Sequence, residues 1–256
     1  MNLTAWIATQ RARADRPPLI PRSRLLLGTT TCIGSIEPLL AHRMQGAGLP
    51  LQPTGEDWSI DAPAQSLEAI AQWLATHKLA SHWRNELLSV TDPAGNTVAA
   101  IERAAVRPLG ITTHAVHLIA HAPNGDAWLQ QRALDKATDP GLWDTTMGGL
   151  VSAGESTEQT LARETWEEAG LHIEALEDVA PRGRFTVRRP VDNGYMVEHI
   201  HVFSATVPVG LTPLNQDGEV AAFECVPRDL LTQRLLAGQF TLEAGLILAD
   251  SWGDMA

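Results

Sequence analysis

Apolar positions along the chain follow two regimes that change near residue 108. In the first, Leu67, Ile70, Ala71, Leu74 and Leu79 recur near helical spacing and predict a helix from Ala64 to His82, with Ser66 as its cap. The segments WRNELLSV (83–90) and NTVAAIERAAV (96–106) then read as strands joined across Asp92-Pro93-Ala94-Gly95. In the second regime, THAVHLIAHA and DAWLQQR flank Asn124-Gly125, a dipeptide that supplies the positive φ angles of a tight hairpin. The same signal recurs at Asn193-Gly194, between RGRFTVRR and YMVEHIHVFSATV. A glycine-rich turn and one strongly amphipathic helix lie between these hairpins, and AAFECV and two helical patterns follow them. The reading is an α/β (α+β) fold: a mixed sheet flanked by helices over residues 109–256, preceded by a smaller α+β domain over residues 1–108. Pro108-Leu109-Gly110 is punctuation, too short for a disordered linker, so the two halves are expected to pack together.

Composition narrows the partners. The chain has 44% hydrophobic and 19% charged residues and no apolar run long enough to span a bilayer, and MNLTAWIATQRARADRPP lacks the apolar core of a secretory signal. These features place it in the cytoplasm, away from membranes. Cys32 and Cys225 have no ligand-like spacing, which argues against a disulfide scaffold or a zinc site. The formal charge of −11 disfavours nucleic acid. That charge is not evenly spread: residues 1–108 carry 10 Lys and Arg against 9 Asp and Glu, and the remainder carries 9 against 21. An acidic domain that binds an anion needs a bridging cation or a local basic patch.

The chemistry concentrates in GGLVSAGESTEQTLARETWEEAGL, residues 148–171. Ser156 and Gln159 have capping-box spacing and Gly170 supplies a stop, so a helix lies between them. Glu164, Glu167 and Glu168 stand at i, i+3 and i+4, within an arc of roughly 100°. Like charges so arranged repel, and a hard divalent cation compensates them, since Mg²⁺ takes carboxylate oxygens and can share phosphate oxygens of a substrate. A bare ExxEE is more often a solvated acidic face.

This one is not bare. Gly149, Glu155, Arg163-Glu164, Glu167-Glu168, Gly170 and Leu171 match every fixed letter of G-x5-E-x7-R-E-U-x-E-E-x-G-U, so the segment resembles the Nudix box. Thr165, where the pattern has a bulky aliphatic residue, is the one departure and is expected to weaken packing of the helix on the sheet. The resemblance implies an α/β/α sandwich and a hydrolase of diphosphate linkages in small molecules. It also implies Mg²⁺ or Mn²⁺ on Glu164, Glu167, Glu168 and the carbonyl of Gly148, with Glu155 and Arg163 holding loop and helix in register. In such enzymes the general base is often an acidic residue before a late strand; Glu219 is favoured here and Asp217 is its competitor. Candidate phosphate ligands are Arg132 and Lys136, before the box, and Arg182 and Arg184, which share strand parity in RGRFTVRR. His199 and His201 share a face without a third ligand at suitable spacing and read as core-edge histidines.

Outside the box, WRNELLSV, ERAAVRPLGITTHAVHL, QQRALDKATDPGLWDTTMGGL and DGEV-x-x-F resemble a Nudix subgroup similar to the Nudix part of fungal thiamine pyrophosphokinase. That likeness implies thiamine diphosphate or its oxidised analogues as substrate, cleaved to the monophosphate, with Trp143, Phe185 or Tyr195 as aromatic contacts. A hydrolase of nucleotide sugars or dinucleotides and a noncatalytic diphosphate sensor are the rival readings. Isopentenyl diphosphate isomerases share the fold but use a cysteine that GLWDTTMGG lacks. Because such sites often lie near a domain or subunit boundary, the N-terminal domain is expected to shape the pocket and a homodimer is allowed. A fragment starting near Gly110 is expected to fold alone.

Overall fold

The computed structural model describes residues 2–61 and 63–253. In chain order the elements are α1 (Leu3–Ala14), β1 (Ser23–Leu27), β2 (Thr31–Ile36), α2 (Pro38–Gly46), β3 (Leu51–Thr54), β4 (Asp57–Ile60), α3 (Pro63–Thr76), β5 (Leu87–Thr91) and β6 (Thr97–Glu102). After the linker come β7 (Thr112–His121), β8 (Ala127–Arg132), β9 (Trp143–Asp144), β10 (Met147–Leu150), α4 (Thr157–Ala169), β11 (Glu177–Val191), β12 (Gly194–Thr206), β13 (Val220–Val226), α5 (Arg228–Leu236) and α6 (Leu242–Gly253).

The larger sheet runs β11-β12-β7-β8-β13, with β10 added to β7 and β9 added to β8. It is mixed: β12 runs parallel to β7 and its other pairings are antiparallel. One face packs Val116, Leu118, Ala120 and Phe203 against Leu161 and Ala169 of α4. The other packs Ala115, Ile119, Leu129 and Ile200 against Leu231, Leu235, Leu246, Ile247 and Leu248 of α5 and α6. The two covered faces make an α/β/α sandwich. The smaller unit has a separate sheet, β2-β1-β4-β3, and the hairpin β5-β6; Leu67, Ile70, Ala71 and Leu74 of α3 are buried in its core. Among the described residues no helix is long and apolar enough to cross a membrane.

Local signals and structure differ in instructive places. The first predicted helix ends at Thr76, six positions before His82, because Lys78 turns left-handed (φ 57°) and the Leu79 and Ala80 N–H groups both donate back to the Leu74 carbonyl. Leu79 still packs on the core from outside the helix. Ser66 is no cap: it lies within α3 and its hydroxyl donates to the Asp61 carbonyl at 2.6 Å. Strand structure starts at Leu87, later than Trp83, and Arg103–Ala105 form a short 3-10 turn.

The units are stitched tightly. Ser35 N donates to the Leu109 carbonyl at 2.9 Å, and a Cβ on Gly34 would lie 2.5 Å from that oxygen. Gly194 likewise leaves no space for a side chain, since its Cβ would lie 2.2 Å from the Arg107 carbonyl. The Arg107 guanidinium donates to buried Glu198 at 2.7 Å, and the Thr113 hydroxyl donates to the same carboxylate oxygen. The helix at the start of the chain crosses the seam: Trp6 and Ala14 of α1 are buried in the core cluster of α5 and α6. Gly245 admits the Trp6 ring, which would stand 2.9 Å from a Cβ there. The fragment starting near Gly110, expected above to fold alone, would lack both α1 and the partner of Glu198.

Candidate active site

The capping box holds α4 in place at its start, with the Ser156 hydroxyl accepting from Gln159 N and the Gln159 side chain accepting from Ser156 N. Gly170 ends the helix in the left-handed conformation, φ 62° and ψ 21°. Leu161, Thr165, Glu168 and Ala169 are its buried stripe, so the helix presents one carboxylate to the interior along with its apolar face.

Glu168 enters a split in the sheet. Because β10 pairs with β7 while β9 pairs with β8, the two short strands leave a gap between them. The Glu168 carboxylate fills it, accepting from the Gly148 amide at 3.1 Å and from Gln130 Nε2 at 3.0 Å. The amide and carbonyl of a strand residue leave the same edge, so the Gly148 carbonyl emerges beside this carboxylate. Glu164 lies over Gly149, where a Cβ would stand 2.2 Å from its carboxyl carbon. Any side chain there would push the Glu164 carboxylate out of this position.

Burial pushes Glu168 up to about 8, with the Glu164 charge adding to it, against the opposing hydrogen bonds from Gly148 and Gln130. Burial also pushes Glu164 up to about 6, with Glu167 and Glu219 adding, although Arg163 opposes it. Two carboxyls displaced in this direction are short of positive charge.

Arg163 organises the rest. It donates to both oxygens of Glu155 at 2.9 Å, and its remaining terminal nitrogen reaches Glu164 Oε1 and Glu167 Oε2, each at 2.9 Å. The Arg163 hydrogen bonds hold Glu155 below the usual carboxylate range. Glu167 is the more exposed glutamate and is turned toward Arg163. Among the described residues no three His, Cys, Asp or Glu side chains converge as a ready-made metal cage. Mg²⁺ does not require one, since it is typically held by one or two carboxylates with waters and substrate oxygens. Glu164, Glu168 and the Gly148 carbonyl fit that need, and Gln130 Oε1, buried beside Glu168 with no hydrogen-bond partner among the described residues, is a further orphaned oxygen there.

Across from α4, the segment 214–219 is tied to the helix end by Leu214 N to the Ala169 carbonyl and Gln216 N to the Glu167 carbonyl. Asp217 is used within the turn, where Oδ1 accepts from Glu219 N at 2.8 Å. Glu219 is therefore the one that projects: it pairs with Lys136, and it lies close enough to Glu164 to raise it. Burial acts to raise Glu219, but the Lys136 ammonium and the Arg103 and Arg84 guanidiniums keep it below the ordinary range.

The other candidates divide. Arg132 flanks the site but is engaged, donating to the Thr138 carbonyl and standing 3.6 Å from Asp144. Arg182 and Arg184 do not face one side as strand parity predicts. A register shift between Pro181 and Gly183 reverses the alternation, so Arg182 donates to Ser204 while Arg184 stands opposite His201. Their strand, β11, is separated from β7 by β12, which sets them roughly 10 Å from the strand that carries β10. The three aromatic candidates are committed elsewhere. Trp143 lies under Arg234 with its carbonyl and amide bound to Thr241 and Gln239, Phe185 packs on the core, and the Tyr195 hydroxyl donates to the Arg16 carbonyl.

Sequence reasoning missed Gln130, which alternation places on a strand face without saying which face. It also missed the third histidine: parallel pairing sets His114 directly opposite His199, and His114 Nδ1 lies 3.3 Å from His201 Nε2. Burial and the neighbouring charges of His199, His201 and Arg184 push His114 down to about 4, so this ring is neutral at physiological pH, and burial lowers His199 and His201 as well.

Residues 112–244 match the NUDIX domain. The chain is 32% identical over 105 residues to an uncharacterized Nudix hydrolase, PA4841, of Pseudomonas aeruginosa, covering 41% of this chain and 60% of that protein. It is also 32% identical over 149 residues to an isopentenyl-diphosphate Delta-isomerase of Streptomyces coelicolor, covering 58% of this chain and 74% of the other. The crystal structure of DR0079 from Deinococcus radiodurans superposes with a TM-score of 0.52 at 24% identity, covering 65% of this chain and 98% of that one, which is a likeness of fold. The chain spans about half the length of the first curated relatives it matches.

Proposed function

We propose that this chain, which belongs to the NUDIX domain family, hydrolyses a diphosphate linkage in a small molecule with the help of Mg²⁺ or Mn²⁺. The observation that carries the reading is the pair of Glu168, buried in the split beside Gly148, and Glu164, half-buried over Gly149, with both carboxyls pushed upward and the charged Glu219 close by. A divalent cation held by Glu164, Glu168 and the Gly148 carbonyl, with Glu167 freed from Arg163 as a further ligand, would draw charge from the diphosphate and favour ionisation of water. Glu219, kept ionised by Lys136, accepts the proton of the water that attacks phosphorus, while the bridging P–O bond breaks and the leaving phosphate takes the electron pair. Glu155 and Arg163 position the loop and helix for this.

Within the reaction class, thiamine diphosphate and its oxidised analogues remain the first substrates to test, on the likeness of the segments flanking the box to the thiamine-linked subgroup. A second reading is favoured by the similarity to the isomerase. Against it stands the placement of the two cysteines: Cys32 lies in the sheet of the smaller unit and Cys225 on edge strand β13, while Gly148 and Gly149 occupy the approach to α4. The test is a phosphate-release screen with Mg²⁺ across the thiamine series, ADP-ribose, dinucleotides, nucleoside triphosphates and isopentenyl diphosphate, with products identified by mass and NMR. Glu168→Gln should lower turnover of any cleaved substrate by at least about 100-fold without unfolding the protein. Near-normal activity in that variant would remove the site assignment, and double-bond migration without hydrolysis would establish the isomerase.

A further inference from the structure

The C-terminal unit must hold an anionic substrate next to four glutamates while carrying 9 Lys and Arg against 21 Asp and Glu. Most of its arginines are already engaged: Arg163 by three carboxylates, Arg189 by Glu243, Arg234 by Glu224 and Arg188 by Asp15. Arg182 and Arg184 stand on a distant strand, as described above.

Lys136 is spent on Glu219, and further cations reach the site from the smaller unit. The start of β5 is fastened to the loop that leads into α4, through Ala153 N donating to the Leu87 carbonyl at 2.7 Å and a bridge between Leu88 and Ser152. The Ser152 hydroxyl donates to Glu86 Oε1 at 3.3 Å, and Glu86 Oε2 accepts from Arg103 at 2.7 Å. Arg84 is placed by the same segment. Its amide donates to Glu102 Oε1 at 2.8 Å, and the next residue, Asn85, is left-handed (φ 57°) and accepts from the Trp83 indole. The backbone is thus fixed while the Arg84 guanidinium, exposed, makes no hydrogen bond or ion pair among the described residues. Ser152 stands three residues beyond Gly149, the glycine under Glu164, so the Ser152–Glu86–Arg103 chain brings the arginines of the smaller unit to the edge of the glutamate site, and both guanidiniums are near enough to help lower Glu219.

We propose that the smaller unit supplies an anion-binding wall of this site: Arg84, backed by Arg103, binds phosphate oxygens of the substrate beside the loop that leads into α4. The planar guanidinium fork suits phosphate oxygens, and Arg103, oriented by Glu86, adds positive charge without needing to move. The smaller unit therefore forms part of the binding site and is more than a packing module. This inference rests on the diphosphate reading for the identity of the ligand, but the anion site itself can be measured without turnover.

The experiment is calorimetric titration of the full-length chain with imidodiphosphate, whose bridging nitrogen resists hydrolysis, in the presence of Mg²⁺. Arg84→Gln should weaken binding at least tenfold, Arg84→Lys should restore part of it, and Arg184→Gln should stay within about twofold of the parent. Unchanged affinity in Arg84→Gln, with binding lost in Glu168→Gln, would overturn the proposal and leave the hydrolase reading standing. Weakened binding in Arg84→Gln, with Glu168→Gln unaffected, would keep the anion wall and remove the cation from the reading. No binding by the parent protein would overturn the proposal.

Discussion

Glu168 is 4% exposed, and its carboxyl is held by one amide and one side-chain N–H, with the Lys136 charge the weakest of the effects that act on it. Its displacement to about 8 makes a prediction about stability. Between the ordinary carboxyl value of 4.5 and about 8, the folded protein retains a proton that the unfolded chain has released. Stability of the cation-free protein therefore falls as pH rises through that window. Melting temperatures measured in chelator at pH 5, 6.5 and 8 should decline more steeply for the parent than for Glu168→Gln, and Mg²⁺ should restore more stability at pH 8 than at pH 5. Parallel slopes would place the titrating group elsewhere. Glu198 does not confuse this test, because its depressed value shifts its stability loss to lower pH, below the same window. At this scale the sequence was a good guide wherever spacing along one helix sufficed, as for Glu164 and Glu168. It failed where a neighbouring strand decides: Gln130 meets Glu168 only through strand pairing, and a single bulge at Pro181–Gly183 undoes the parity argument for Arg182 and Arg184.

At the scale of elements, α4 is the clearest case of agreement between local signal and fold, since capping box, apolar stripe and left-handed stop all lie where the residues place them. Its one irregular position is also the one the motif flags. Thr165 stands where a bulky aliphatic residue is usual; it is fully buried, and its hydroxyl has no hydrogen-bond partner among the described residues. An unsatisfied buried hydroxyl costs about 1–3 kcal/mol. Thr165→Val removes the polar atom at nearly constant volume and should raise stability by about 1 kcal/mol in urea denaturation, with turnover unchanged; a loss would mean that the hydroxyl has a role that the packing does not show. Helices α1 and α3 were less legible. The amphipathic pattern of α3 continues past Thr76 although the backbone has already turned, and α1 has too weak an apolar periodicity to announce itself, since its buried positions are only Trp6, Gln10 and Ala14. The four-stranded sheet of the smaller unit also escaped the sequence, because strands of four to six residues leave few periods to recognise.

The whole molecule is joined where it looked divisible. The change of pattern near Pro108 marks a real change of sheet, yet α1 belongs by contact to the larger unit, and Arg107 neutralises a carboxylate buried beyond the linker. Removing the partner of a buried charge costs about 3–5 kcal/mol, and the uncovered surface of α6 adds to that. The fragment beginning at Gly110 should therefore be less stable than the full chain by at least about 3 kcal/mol, or insoluble. Adding Glu198→Gln to it should recover part of the loss. Urea denaturation of the two fragments beside the full chain checks this, and a fragment as stable as the parent would show that the seam contributes little.

The docking of α1 on α6 has a consequence for synthesis on the ribosome. The part of the cover over Trp6 that surrounds Gly245 emerges only about 240 positions later. At translation rates of roughly 5–20 residues per second that is an interval of roughly 12–50 s in which the nascent indole lacks this contact. During that interval the chain is a natural client for chaperones that bind exposed aromatic side chains, and slowing translation of the last helix should prolong their association.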